Sequence, residues 1–234
     1  MSDDVLAIVN RSNQRGGRML SVIDLIVAGT LTRELCAWTL EHVLEGGSWV
    51  VGAKPGGAGK TTIMSAILTM LPSDSRMHIT NPGTGWQQAQ PGDCVVSYEI
   101  SPGAYDGYIW GEDVRRLTEL ALSGCRVVTN LHADTLHEAR SQVVDQCGAT
   151  EAGLGALGLF VPIRTAGGLF NASRRVEKLM YHSDDEWQEL AGDLDPSPRQ
   201  LDILGFLKNA ERRRLRSCEQ VRAAWLQWLS DNWQ

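Results

Sequence analysis

No stretch of this 234-residue chain approaches the ~20 consecutive apolar residues that a membrane-spanning helix needs. The start, Met1-Ser2-Asp3-Asp4, is acidic and has neither the basic nor the apolar part of a signal peptide. The five cysteines (36, 94, 125, 147, 218) are scattered without C-x-x-C spacing, which reads as reduced thiols of a cytoplasmic protein. Positive charge is short, 22 Lys and Arg against 28 Asp and Glu, a net of −6. That balance leaves no electrostatic footprint for nucleic acid or a membrane surface. There is no internal repeat and no low-complexity segment, and Asn171-Ala172-Ser173 is an accidental sequon in such a chain. Against these absences, a hydrophobic content of 43% supports a packed core and excludes disorder. The length suits one α/β domain with a small appendage.

The run Lys54-Pro55-Gly56-Gly57-Ala58-Gly59-Lys60-Thr61-Thr62 carries the chemistry. It follows the apolar stretch 48–53, which reads as a buried strand, and opens into 62–71, which has helical length and an apolar face. Strand, glycine-rich loop, Gly-Lys-Thr and helix form the context of a phosphate loop. Gly56, Gly57, Ala58 and Gly59 can turn backbone N–H groups inward around phosphates, and the helix start adds partial positive charge. Lys60 would neutralise β- and γ-oxygens of ATP, Thr61 would ligate Mg²⁺, and Thr62 completes the cradle. The first glycine of the usual pattern is replaced by Lys54. Its offset from Lys60 and the interposed Pro55 argue against equivalence with the signature lysine of partition-type ATPases, and leave a solvated loop lysine as the alternative.

Along the chain, 5–9 reads as a short strand, 13–18 as a polar loop, and 21–28 and 32–44 as helices. Residues 77–80 and 94–100 read as strands around a Pro- and Gly-rich loop. Residues 108–110 form a short strand, 113–123 a helix, 126–130 a buried strand and 135–147 a helix. Segments 159–165 and 175–182 flank a turn-rich stretch, as in a hairpin. Residues 193–198 look like a linker, and beyond them Val221, Ala224, Trp225, Trp228 and Leu229 form a helical stripe. That stripe either packs on the chain's own core or docks a neighbour. The organisation expected is an N-terminal strand and linker (1–19), a phosphate-loop core (20–192) and a C-terminal helical appendage (193–234).

Two further positions sit at expected strand ends. Glu112 follows Gly111 and an apolar strand, where a carboxylate would orient the attacking water, or would simply favour the start of the next helix. His132, in Asn130-Leu131-His132-Ala133-Asp134-Thr135, would donate to the γ-phosphate or else be structural, with Asp134 or Thr135 as a helix cap.

In that order, these boxes resemble the ATPase core of the type II/type IV secretion superfamily, the hexameric traffic ATPases of secretion and pilus machines. Gly111-Glu112 resembles their Walker B box, Leu131-His132-Ala133-Asp134-Thr135 their His box, and 159–164 with 174–182 their late hairpin. The likeness covers roughly residues 20–190. It implies a RecA-like, mostly parallel sheet with helices on both faces, and ATP hydrolysis with Mg²⁺. It implies catalytic roles for Lys60, Glu112 and His132, and nucleotide contact by Arg11. It also implies a homo-oligomeric ring, a hexamer, in the cytoplasm, held at the inner membrane by a secretion or pilus platform protein.

The departures are specific. The family's acidic box after the phosphate-loop helix is Ile79-Thr80-Asn81 here, without a carboxylate, and no Lys or Arg lies between Arg76 and Arg115. Two functions stand first: a compact ring-forming ATPase, or a catalytically weak nucleotide-binding scaffold beside a full-length motor. A GTPase or small-molecule kinase ranks third, since there is no N-K-x-D motif and no arginine-rich lid.

Overall fold

In the computed structural model, which describes residues 4–12, 17–167, 173–191 and 195–233, nine strands form one sheet with α-helices on both faces and two more form a small ribbon. The polar loop expected at 13–18 and the sequon fall largely outside these residues, as does the start of the linker.

β1 (Trp49–Gly52) is the centre of the sheet, flanked in parallel by β6 (Arg126–Leu131) and β7 (Leu159–Pro162). Beyond β6 lie β3 (Cys94–Val96) and β2 (Met77–Ile79), also parallel. Beyond β7 the antiparallel pair β10 (Lys178–Ser183) and β11 (Glu186–Ala191) closes the other side. β4 (Glu99–Ile100) continues the line of β3 against the end of β6 and pairs with β5 (Tyr108–Ile109). A separate ribbon, β8 (Arg164–Ala166) with β9 (Ser173–Arg175), stands off the sheet.

Strand alternation divides the core into two layers. Trp49 and Val51 face one, together with α4 (Lys60–Leu68) and the α2 (Val22–Val27), α3 (Arg33–Leu44), α8 (Pro198–Arg212) and α9 (Cys218–Asn232) helices. Val50 and Val127 face the other, under α5 (Glu112–Leu122) and α7 (Glu151–Gly155). The helix starts are written locally. Ser21 with Asp24, Ser197 with Gln200 and Ser217 with Gln220 form capping boxes, while Thr32, Thr135 and Thr150 cap with their hydroxyls. All five cysteines are buried, and burial pushes the thiols of Cys36 and Cys94 up to about 12.

Three expectations change. Residues 5–9 are not a strand but part of α1 (Asp4–Ser12). Val5 and Val9, four apart, are buried on one helical face, and Ser12 Oγ meets Ser65 Oγ of α4 at 2.9 Å. The strand expected over 94–100 is split, because Tyr98 gives its N–H to Gly107 O and its carbonyl to Asn130 Nδ2 instead of to a neighbouring strand. The helix expected over 135–147 is α6 (Leu136–Arg140) followed by a π-helical turn, Ser141–Gln146. β11, α7 and α8 went unread in the sequence. The turn into β11 is Asp184-Asp185, both at positive φ (53° and 63°), a two-residue hairpin turn without glycine.

The C-terminal stripe packs on the chain's own body. Trp225 is fully buried, its Nε1 donates to Met70 O at 2.6 Å, and its ring meets Phe206 and Trp228. Arg222, also buried, donates to Thr69 O and Leu71 O at 2.8 and 2.7 Å. No helix among the described residues is long and apolar enough to cross a membrane.

Candidate functional site

Parallel register brings the ends of three strands to one edge, since Gly52 pairs with both Leu131 and Pro162. The loop 53–59 springs from that edge and turns into α4. Gly57 and Gly59 stand at φ 81° and 96°, a conformation open to glycine and strained for any other residue, so the loop's course depends on them. Gly59 is the N-cap of α4 and no side chain caps it, so the first N–H groups of the helix point at the loop's interior.

Lys60 is buried to 8% exposure. Its Nζ donates to Ala53 O at 3.1 Å, pairs with Glu99 Oε1 at 2.9 Å and lies 3.4 Å from His132 Nδ1. His132 Nε2 meets the same Glu99 oxygen at 2.9 Å. His132 Nδ1 also lies 3.4 Å from Lys54 O, so the ring touches Lys60, Glu99 and the start of the loop at once. Glu99 is itself 8% exposed, and its other oxygen accepts the Tyr108 hydroxyl at 2.7 Å. Oε1 lies 2.9 Å from both Lys60 Nζ and His132 Nε2 but makes no aligned hydrogen bond to either, so its pairing with Lys60 is ionic. Lys60, Glu99 and His132 thus converge from α4, β4 and the end of β6.

Thr61 follows Lys60, and Asn130 Nδ2 approaches its Oγ1 at 3.5 Å. Asn130 is fully buried, with Nδ2 also donating to Tyr98 O at 2.8 Å, while its Oδ1 has no hydrogen-bond partner. Ala58 is buried, Gly56 is exposed with open space where a Cβ would stand, and Thr62 is half-buried in the first turn of α4.

Lys54 belongs to a second ionic cluster. Its N–H donates to Asp134 Oδ1 at 2.8 Å and its Nζ to Glu138 Oε1 at 2.5 Å, and Glu138 Oε2 accepts from Asp134 N. The hydrogen bond to Glu138 raises the Lys54 pKa, and the same bond holds the Glu138 carboxyl below its ordinary value. Lys54 is therefore neither simply solvated nor turned outward to another chain; it ties the loop to the His132 segment.

Two expected site residues stand apart. Glu112 opens α5 with its side chain 90% exposed, and among the described residues it forms an ion pair with Arg115 alone, at 3.9 Å. The carboxylate beside Lys60 is Glu99 instead. The insertion 101–111, with β5, carries Gly111-Glu112 away from the line of β3 and β4. The sequence signal for Glu99 is the run Cys94-Val95-Val96-Ser97-Tyr98-Glu99, an apolar strand followed by a carboxylate. Arg11 is exposed in the last turn of α1. Its charge is felt at Tyr98, whose hydroxyl burial pushes up to about 12 and Arg11 partly restrains. At 79–81, Thr80 Oγ1 donates to Gly107 O and Asn81 Oδ1 accepts from Gly107 N. Residues 79–81 thus hold the 101–111 segment at Gly107.

No family model matches this chain and no curated protein matches it in sequence. Among solved structures it is similar to the Legionella pneumophila ATPase DotB, at a TM-score of 0.42 and 15% identity, over 74% of this chain and 54% of that one. The chain thus spans about half the length of that protein. A likeness of this degree does not bear on function.

Proposed function

We propose that this protein binds ATP at the loop 53–62 and hydrolyses it, with Glu99 as the carboxylate that orients the attacking water. The observation that carries this reading is the convergence of Lys60, Glu99 and His132 on one glycine-built loop at a helix N-terminus. The residues present fit a Mg²⁺–nucleotide: the glycines at positive φ allow a close backbone approach, and Asn130, whose Nδ2 is 3.5 Å from Thr61 Oγ1, keeps a buried Oδ1 without a hydrogen-bond partner. Thr61 would hold a Mg²⁺ bound with the nucleotide, and that ion would supply charge neutralisation at the phosphates.

The chain's own part follows from its contacts. Lys60 holds Glu99 in an ion pair and can exchange that partner for a phosphate oxygen. Glu99 is then free to accept a proton from water at Oε1, while the Tyr108 hydroxyl on Oε2 keeps the carboxylate from turning. His132, with Nε2 2.9 Å from Glu99 Oε1, is placed to hold that carboxylate or to turn toward the γ-phosphate. Thr61 supplies the metal-ligating hydroxyl, and Gly56, Gly57, Ala58, Gly59 and Thr62 frame the phosphates.

The ordered motifs extend this reading to a ring-forming motor or regulator of a secretion or pilus-like machine, assembled as a hexamer in the cytoplasm against an inner-membrane platform. The second reading, a catalytically weak scaffold beside a full-length motor, is favoured by one observation. Residues 79–81 offer no carboxylate, so Glu99 is the lone buried acid beside Lys60 among the described residues.

Steady-state hydrolysis and fluorescent-ATP binding separate these. Lys60→Ala should abolish Mg²⁺-dependent binding. Glu99→Gln should retain it and lose hydrolysis by about 10²-fold or more. A Glu99→Gln protein that turns over ATP like the parent would sink the catalytic assignment, and a parent that binds but never hydrolyses would establish the scaffold.

A further inference from the structure

The β8–β9 ribbon leaves the sheet where β7 ends, and β7 ends level with β1, Pro162 beside Gly52. The topology therefore delivers the ribbon to the edge that carries the phosphate loop. Arg174, in β9, reaches a loop 117 positions earlier in the chain, and its Nη2 donates to Gly57 O at 3.2 Å. Its Cδ lies 3.3 Å from where a Cβ on Gly59 would stand, so the side chain runs along the loop from Gly59 to Gly57.

The charges around the loop make this contact more than a brace. Lys54 and Lys60 are both engaged with carboxylates, and the acids there, Glu99, Asp134 and Glu138, outnumber them. A polyanionic triphosphate needs further cation at this edge, and the sequence supplies none between Arg76 and Arg115. A guanidinium presents five N–H donors in a fixed fork. Donation to Gly57 O is therefore compatible with donation to a phosphate oxygen held by the same loop.

We propose that Arg174 is a phosphate-binding residue acting in cis, delivered by the β8–β9 ribbon to the outer side of the loop. This rests on the reading of the loop as a nucleoside-triphosphate site, and it adds a contact that distinguishes nucleotides by the number of their phosphates. Arg174 is exposed, so its replacement should leave the fold intact.

The test is equilibrium titration of the full chain with fluorescent ATP, ADP and AMP analogues in Mg²⁺, comparing the parent with Arg174→Ala, Arg174→Lys and Lys60→Ala. Arg174→Ala should weaken ATP by about 10- to 100-fold, the range of a charge-assisted hydrogen bond, and AMP far less. Arg174→Lys should recover part of the ATP affinity, and it carries the comparison if the alanine variant does not fold. Unchanged ATP affinity in Arg174→Ala, or equal losses for ATP and AMP, would overturn the proposal and leave Arg174 as a brace for the loop. A parent that binds no ATP would remove the nucleotide reading and this one together. A parent that binds, a Lys60→Ala that does not, and an Arg174→Ala that matches the parent would remove this one alone.

Discussion

The two ends of α4 are satisfied in opposite ways. At its C-terminal end, buried side chains from α9 donate to main-chain carbonyls: Arg222 to Thr69 and Leu71, Trp225 to Met70. Nearby ends of the same layer repeat the device, with Arg126 on Val43 O and His42 on Ser48 O. At the N-terminal end no side chain caps the helix, and the polar groups are mostly paired side chain to side chain, Lys60 with Glu99 and His132, Lys54 with Glu138. The difference teaches what each end is for. A carbonyl robbed of its buried donor is left unsatisfied at a cost of about 1–3 kcal/mol, so the far end cannot rearrange cheaply. An ion pair between two side chains can be traded for a ligand without orphaning the backbone.

The sharpest way to break this contrast is Trp225→Ala. It empties a fully buried ring and strips the donor from Met70 O, and should cost about 3–5 kcal/mol in denaturant unfolding while leaving nucleotide affinity in the surviving folded protein unchanged. Loss of binding without loss of stability would show that the two ends are not independent.

The contrast is also legible in how much the sequence disclosed. The glycine-built turn into α4 and the parallel sheet were readable because their signals are local: glycines where backbone must turn, and apolar runs of strand length between helices. The placement of Glu99 beside Lys60 was not, because it depends on Ser97 and Tyr98 breaking the strand and on the 101–111 segment that separates it from α5. The helix at the N-terminus was missed for a related reason. Five residues with apolar positions at 5, 6, 8 and 9 fit either period, and only α4 packing against Val5 and Val9 decides. Arg174 offered no local signal at all, since its partner lies 117 residues away.

A smaller effect sharpens the far end by pH. The His42 ring packs against both Trp38 and Tyr181, and burial lowers its pKa, opposed by the hydrogen bond to Ser48 O and aided by the charge of Arg126. A histidine depressed in the folded state contributes stability that is complete above its unfolded value, about 6.5, and is lost as pH falls through the lower folded value. Unfolding free energy should therefore decline below about pH 6.5, by at most about 1.4 kcal/mol per pH unit for one proton. In His42→Gln that share of the decline should vanish; an identical slope would assign it elsewhere.

The smallest expected effect belongs to Glu112→Gln. With a side chain 90% exposed and one long ion pair, it should shift stability by less than about 0.5 kcal/mol and leave ATP hydrolysis as in the parent. A large loss of turnover would return the carboxylate role to Glu112 and take it from Glu99.

The buried thiols have a consequence of their own. They are spread through the fold, Cys36 in α3, Cys94 in β3, Cys125 before β6, Cys147 after the π-helical turn and Cys218 at the start of α9. A thiol reacts as its thiolate and only when a reagent can reach it. Alkylation of this protein is therefore gated by opening events, and the order in which the five sites become labelled is a map of which part of the chain breathes first.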